Sequence, residues 1–254
     1  MVGAGATAGV FGSLLGFGGG VLMVPLLTLG FGLPLREAVG VSLVGVIMTS
    51  SAAAGVYLQR HMANLRLGMT LELFTATGAF IGGSIAFLLE ERWLAVLFAA
   101  LLFYVAITMA RAGHGVEEAT PLELADADEP SEAFHNLPVA VAGSLGAGVV
   151  SALLGIGGGI IKVPLMHLAM GVPLRAASAT SNLMIGITAA VSGVIYAFHG
   201  GIDPYVAGPT AIGVFTGATI GSRLAHRIDV RYLRVLIVVV LTYTAIQMLL
   251  KALR

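Results

Sequence analysis

Two stretches of this sequence place bare backbone where chemistry needs it. Leu14-Leu15-Gly16-Phe17-Gly18-Gly19-Gly20 runs on to Val24-Pro25-Leu26, and Leu153-Leu154-Gly155-Ile156-Gly157-Gly158-Gly159 runs on to Val163-Pro164-Leu165. Glycine tolerates positive φ and lets other groups approach the main chain closely. A short helix starting at the end of such a run, near Gly19 or Gly158, turns its unbonded first-turn N–H groups and positive dipole end toward the break, which favours an anion. Irregular backbone at membrane depth is tolerated only where it is buried in protein or lines a cavity. Gly16, Gly18, Gly19 and Gly20, with Gly155, Gly157, Gly158 and Gly159, are therefore candidate binding positions for a small oxyanion. Close helix packing through small residues is the competing explanation. It accounts for glycines spaced by four, but not for three in succession ahead of Val-Pro, twice. A nucleotide-binding loop fits worse: the GxGxxG spacing, a following Lys-Ser/Thr and a preceding strand are all missing.

Polar side chains cluster near these breaks. Lys162, one of two lysines, lies one turn into the second short helix. An ionisable residue inside a membrane is costly and is a functional candidate by default; the alternative is a stem that snorkels to an interface. Thr180, Ser181 and Asn182 interrupt an apolar helix start, and Ser42 holds the corresponding place in the first half. They can donate to an oxyanion, or serve as caps and interhelical bonds. Ser13, Ser50 and Ser51 are weaker candidates for which core packing is the expectation. Arg36 and Arg175 read as helix-end anchors, with anion steering the alternative. His167 reads as a packed, hydrogen-bonded histidine. Glu72, the acid inside a predicted long helix, is open between a coupling site and an interfacial position.

The elements that must hold these groups are membrane helices. The chain has 254 residues, 57% hydrophobic and 10% charged, with mean hydropathy +0.97; a soluble domain carries about 25% charged residues. An ordinary soluble globule, a disordered chain and a nucleic-acid binder are excluded, the last because phosphate binding needs clustered Lys and Arg. There is no cysteine, so thiol chemistry and Cys-based metal sites are excluded; no metal or other cofactor is expected. Residue i matches residue i+139 without a gap from Ala8/Ala147 to Met109/Met248, and about a third of the pairs are identical. Among them are Pro34-Leu35-Arg36 with Pro173-Leu174-Arg175, Thr77-Gly78-Ala79 with Thr216-Gly217-Ala218, and Tyr104 with Tyr243. The domains expected are a first repeat over 1–112, an acidic linker over 113–137 and a second repeat over 138–254. Long helices are expected near 37–59, 67–90 and 92–111, and near 176–199, 205–226 and 231–252. Before each trio, 4–31 and 139–170 are cut by glycine into pieces of about 11 residues, each about half the hydrocarbon core in length.

Each cut segment is either one broken span, which makes the halves parallel, or a re-entrant hairpin, which makes them inverted. Positive charge favours the second. It gathers Arg60, Arg66, Arg111, Arg175, Arg223, Arg227, Arg231 and Arg234 on one face against Arg36, Arg92, Lys251 and Arg254 on the other, the bias expected of a cytoplasmic side. The linker then lies in the cytoplasm and both termini outside. The fold class expected is an all-α polytopic membrane protein of two homologous halves, an inverted repeat, each half a glycine-broken half-helix hairpin plus three transmembrane helices.

The paired LLGxGGGxxxVP modules, each followed by Pro-Leu-Arg and a Ser-containing helix, resemble the TauE/SafE family of sulfite exporters over nearly the whole chain outside the linker. The resemblance implies a multi-pass carrier of the bacterial inner (cytoplasmic) membrane for sulfite, sulfonates or related sulfur oxyanions, and it does not by itself supply the residues that touch substrate. The expected partners are such an anion and the lipid bilayer; a homodimer is the assembly that the prevalence of two-fold oligomers gives. A passive anion channel is the rival, since half-helix ends serve pores as well as carriers. An intramembrane enzyme is disfavoured, because no thiol, HExxH or GxSxG element is present.

Overall fold

The computed structural model describes residues 1–15, 19–59, 63–111, 137–224 and 230–253. Every element among them is helical. The first half comprises α1 (Val2–Leu15), α2 (Gly20–Pro25), α3 (Leu35–Gln59), α4 (Leu65–Leu88) and α5 (Glu91–Arg111). The second comprises α6 (Leu137–Leu154), α7 (Gly159–Pro164), α8 (Leu174–Phe198), α9 (Pro204–Leu224) and α10 (Val230–Leu253). All six long helices expected from the sequence are present, with ends displaced by about two residues or fewer. Four of them, over Leu35–Ala52, Leu65–Leu88, Glu91–Ala110 and Ala176–Phe198, are long and apolar enough to cross a membrane. Residues 113–136 of the linker, the positions Gly16 and Gly18, and Arg60 and Arg227 lie outside the described residues, while the last linker position, Leu137, opens α6.

The glycine-cut segments are less even than expected. The pieces ahead of the breaks are 14 and 18 residues long, not about 11. Each piece after the break has six α-helical residues and then five in a π-helical turn, Leu26–Gly30 or Leu165–Ala169. Pro25 and Pro164 explain the change. Proline has no N–H to give to the carbonyl four residues back, and its ring crowds that carbonyl. The helix therefore continues with a wider turn.

Packing exchanges the halves. α1 lies against α9 and α6 against α4; α3 meets α8 and α5 meets α10. Under the i+139 relation the first two pairs are counterparts of each other, the last two are each their own counterpart, and α4–α8 is matched by α3–α9. Contacts along the seams fix directions. Gly5 faces Thr210 and Gly9 faces Val214, so α1 and α9 run the same way. Gly78 faces Leu145 and Gly82 faces Val149, so α4 and α6 also run together. Gly68 faces Thr180 and Gly83 faces Ile195, which makes α4 parallel to α8. Gly186 faces Ser50 and Gly193 faces Ile47, so α3 and α8 run oppositely.

The seams α1–α9 and α4–α6 are backbone against backbone. A Cβ at Gly213 would stand 2.1 Å from the Val2 carbonyl oxygen, and one at Gly148 would stand 2.0 Å from that of Thr75. Such proximity brings Cα–H groups onto carbonyls and suits a medium in which apolar burial between helices has little driving force. Large apolar side chains point outward instead, among them Met69, Leu73, Phe80 and Ile212. Trp93, Phe198 and Tyr205 are exposed at the end where α5 and α9 begin and α8 finishes, as in an interfacial aromatic belt.

Gly78→Ala should therefore destabilise the protein by about 1–3 kcal/mol through overpacking. Gly146→Ala, whose Cβ would meet nothing within 4 Å, should be neutral or stabilising by about 0.4–1 kcal/mol. Thermal unfolding in detergent compares the two; equal melting temperatures would contradict the seam geometry.

Candidate functional site

The two breaks meet. A Cβ on Gly20 would lie 2.4 Å from the Gly155 carbonyl oxygen and 2.9 Å from the Ile156 Cα, so only glycine permits the contact. Ser42, fully buried on α3, directs its hydroxyl to the Gly155 carbonyl at 2.8 Å, with the Gly20 carbonyl at 3.5 Å. One side chain thus touches the breaks of both halves.

Each short helix begins identically. Its N-cap, Gly19 or Gly158, has φ 78°, a left-handed conformation that disfavours any side chain. Neither cap offers a side-chain hydrogen bond to the first turn; the Gly19 carbonyl accepts the N–H groups of Leu22 and Met23, and the Gly158 carbonyl those of Ile161 and Lys162, so the first two N–H groups of each short helix are the ones without a helical partner. Ser181, the repeat partner of Ser42, lies with its hydroxyl oxygen 3.5 Å from where a Gly159 Cβ would be. A Cβ on Gly158 would stand 3.3 Å from the Ser151 Cβ and 3.5 Å from the Lys162 Cε. The hydroxyls of Ser144, Ser151 and Ser181 are buried and find no hydrogen-bond partner among the described residues. Buried hydroxyls without partners are uncommon and call for a reason.

Lys162 is 1% exposed. Helical side chains tilt toward the N-terminus, so from one turn into α7 it reaches back to the break. Its Nζ donates to Glu72 Oε2 at 3.0 Å and to Thr188 Oγ1 at 2.7 Å. The Thr188 hydroxyl donates in turn to Glu72 Oε1 at 2.6 Å. The network joins α4 of the first half to α7 and α8 of the second. A buried ion pair offsets its desolvation only when the remaining bonds are made, and here Thr188 engages both charges. The repeat positions are Met23 for Lys162, Ala211 for Glu72 and Thr49 for Thr188. Met23 is buried against Gly45, so the first half holds an apolar version of the same corner.

The other predicted positions disperse. Thr180 accepts the Asn64 N–H at 2.9 Å on the α4–α8 contact, away from the breaks. The Asn182 side chain donates to the Ser178 carbonyl within its own helix, and the Asn182 backbone carbonyl accepts the Ser50 hydroxyl. Ser51 bonds the Ile47 carbonyl at 2.7 Å. His167 is exposed rather than packed, its Nδ1 2.9 Å from the Val172 carbonyl oxygen. Arg36 donates to the Leu89 carbonyl at the end of α4 and lies 6.0 Å over the Phe87 ring, a helix-end anchor. Side chains of Ser13, Arg175, Arg223, Arg231 and Arg234 are outside the described set. Sequence reasoning did not single out Thr188, Ser144 or Ser151. The identity of Thr49 and Thr188 in the repeat frame was a usable signal, as was the seven-residue spacing of Ser144 and Ser151 on one apolar helix.

With this geometry stand the comparisons. The profile of the family described as Sulfite exporter TauE/SafE matches residues 1–248. The chain belongs to that family. Its relatives include the probable membrane transporter protein YunE of Bacillus subtilis, 24% identical over 96% of this chain and 94% of that one. A probable membrane transporter protein of Xylella fastidiosa (strain 9a5c) is 29% identical over 89% and 84%. The Sulfite exporter TauE/SafE family protein 6 of Arabidopsis thaliana is 33% identical over 39% of this chain and 23% of its own. No solved structure matches. The protein is thus an integral membrane protein of a transporter family.

Lys162→Met leaves the Glu72 carboxylate buried without its cation and should cost about 3–5 kcal/mol. The double variant Lys162→Met, Glu72→Ala recreates the residues of the symmetry-related corner, Met23 and Ala211, and should recover most of that loss. Thermal unfolding of the two singles and the double measures the coupling; additive losses would mean the pair does not act as a unit.

Proposed function

We propose that the protein carries a small sulfur oxyanion, sulfite in first place, outward across the cytoplasmic membrane by alternating access. The observation that carries this is the meeting of two glycine breaks beside unpartnered hydroxyls and a buried lysine. At the second break an anion would find first-turn N–H groups of α7, the hydroxyls of Ser151 and Ser181, and the Lys162 ammonium. A trigonal or tetrahedral oxyanion has acceptor atoms for donors arriving from several sides. The family's description supplies the sulfur chemistry. The inside-negative potential supplies an outward force, about 2.3 kcal/mol per charge per 100 mV.

We infer further that the halves form an inverted repeat. α6 runs with α4, and α4 with α8, so α6 and α8 run the same way with α7 between them. A segment that enters and leaves by one face fits this direction; a broken span does not. The opposite run of the matched helices α3 and α8 supports the same reading. The arginine-rich face then lies where α3 and α5 end and α4 and α8 begin, which favours the cytoplasm for that end.

The test is sulfite flux in proteoliposomes of the purified protein. Saturable flux, stimulated by unlabelled sulfite on the far side, is expected of a carrier; conductance without counterflow would mean a channel. Gly158→Ala and Gly20→Ala should each lower flux at least tenfold while the protein still reaches the membrane. Undiminished flux in both would remove the break from the mechanism. A cysteine placed in the linker of this Cys-free chain should be labelled only from the cytoplasmic side of oriented vesicles; labelling from outside alone would overturn the orientation.

A further inference from the structure

An anion carrier must return empty, and the structure suggests what fills its site when no substrate does. Suppose the substrate anion binds at the second break, the reading on which this inference rests. It then meets Lys162, whose ammonium has three N–H donors, two of them already given to Glu72 and Thr188. The dry corner would hold one positive and two negative charges. Only one neutral pair is stable away from water, so one anion must give way. Among the described residues, the hydrogen bonds of both carboxylate oxygens of Glu72 come from this network alone, so the incoming anion competes for the same cation.

Glu72 also has a place to go. It lines a cleft of ≈ 20 Å³ between the starts of α4 and α8, with Asn64, Gly68, Thr180 and Met184. That volume admits about one water. Leu65, Met69 and Ile187 at the cleft are exposed. The cleft thus lies on the side of Glu72 toward the start of α4, next to Asn64 and Gly68.

We propose that Glu72 is a tethered counter-anion. It neutralises Lys162 in the empty carrier, withdraws into the cleft when substrate takes the lysine, and returns when substrate leaves. Glu72 sits on one half and Lys162 on the other, so the pair forms and parts with the packing of α4 against α7 and α8. The empty carrier can then recross with a neutral site, which permits net transport. Without the carboxylate, Lys162 would have to cross unpaired, and only the loaded carrier would move. Glu72 is therefore a positioning residue acting through Lys162, and its removal separates exchange from net flux. The symmetry-related corner at the first break, with Met23 and Ala211 in these places, has no such device.

The experiment measures two fluxes in proteoliposomes, sulfite/sulfite exchange and net sulfite efflux driven by a potassium diffusion potential, for wild type and Glu72→Gln. Glutamine keeps hydrogen-bonding atoms for Lys162 and Thr188 while removing the charge. The expected result is exchange retained with KM lowered about tenfold, because the competitor is gone, and net efflux lowered at least tenfold. Glu72→Asp, which keeps the charge one methylene away, covers the case in which Glu72→Gln fails to fold; it should show the same split in weaker form. Unchanged KM and unchanged net efflux would overturn the inference, and so would a raised KM with exchange and efflux falling together. No exchange of sulfite, thiosulfate or methanesulfonate by the wild type would overturn the carrier reading and this inference with it. Wild-type exchange combined with variants that behave like wild type would overturn the inference alone.

Discussion

The close approach of Gly20 to the Gly155 carbonyl is the constraint on which the rest is built. Two stretches of backbone can touch there only because Gly20 carries no side chain at the contact. Everything around it follows from holding that contact in an apolar medium. Ser42 satisfies the carbonyl that the contact exposes, and left-handed Gly19 and Gly158 aim the short helices away from the breaks. The long helices α3 and α8 cross beside the breaks and enclose them. A larger residue at Gly20 would separate the two halves at the point where they share their polar groups.

Around this contact the molecule departs from its own symmetry. The same corner is built with Lys162, Glu72 and Thr188 in one place and with Met23, Ala211 and Thr49 in the other. Duplication supplied two equal scaffolds, and charge was installed in one. A single dry ion pair is easier to accommodate than two, since each requires its own set of hydrogen bonds and any error leaves a charge without a partner. The methionine side shows that the scaffold does not need the pair for packing. That argues for a role of the pair beyond cohesion.

Much of this was legible before any coordinates. Apolar run lengths located the six long helices, and the repeat located the breaks and caps, because those depend on local residue type and on glycine's conformational range. Lys162 stood out for its rarity. Glu72 stood out as an acid inside a long helix, but its pairing did not: it is ninety positions away on another helix, and nothing local distinguishes a carboxylate that meets a lysine from one that meets an interface. Thr180, Ser181 and Asn182 look alike in sequence, yet successive residues on a helix point about 100° apart. Ser181 alone turns toward a break, while Thr180 joins α4 and Asn182 folds onto its own helix. The uneven pieces ahead of the breaks were also hidden, since the length of α6 depends on its parallel seam with α4 and not on glycine placement.

Those seams have a mechanical consequence. Where helices interlock through large side chains, sliding one along the other requires rotamers to disengage in sequence, and each disengagement is a barrier. Along α1–α9 and α4–α6 the glycine positions set Cα atoms directly against carbonyl oxygens of the facing helix. Such a surface resists separation, because every atom is in contact, but it offers few teeth against shear. The two seams behave as matched bearings: stiff in compression, smooth along their length, and each joining one half to the other.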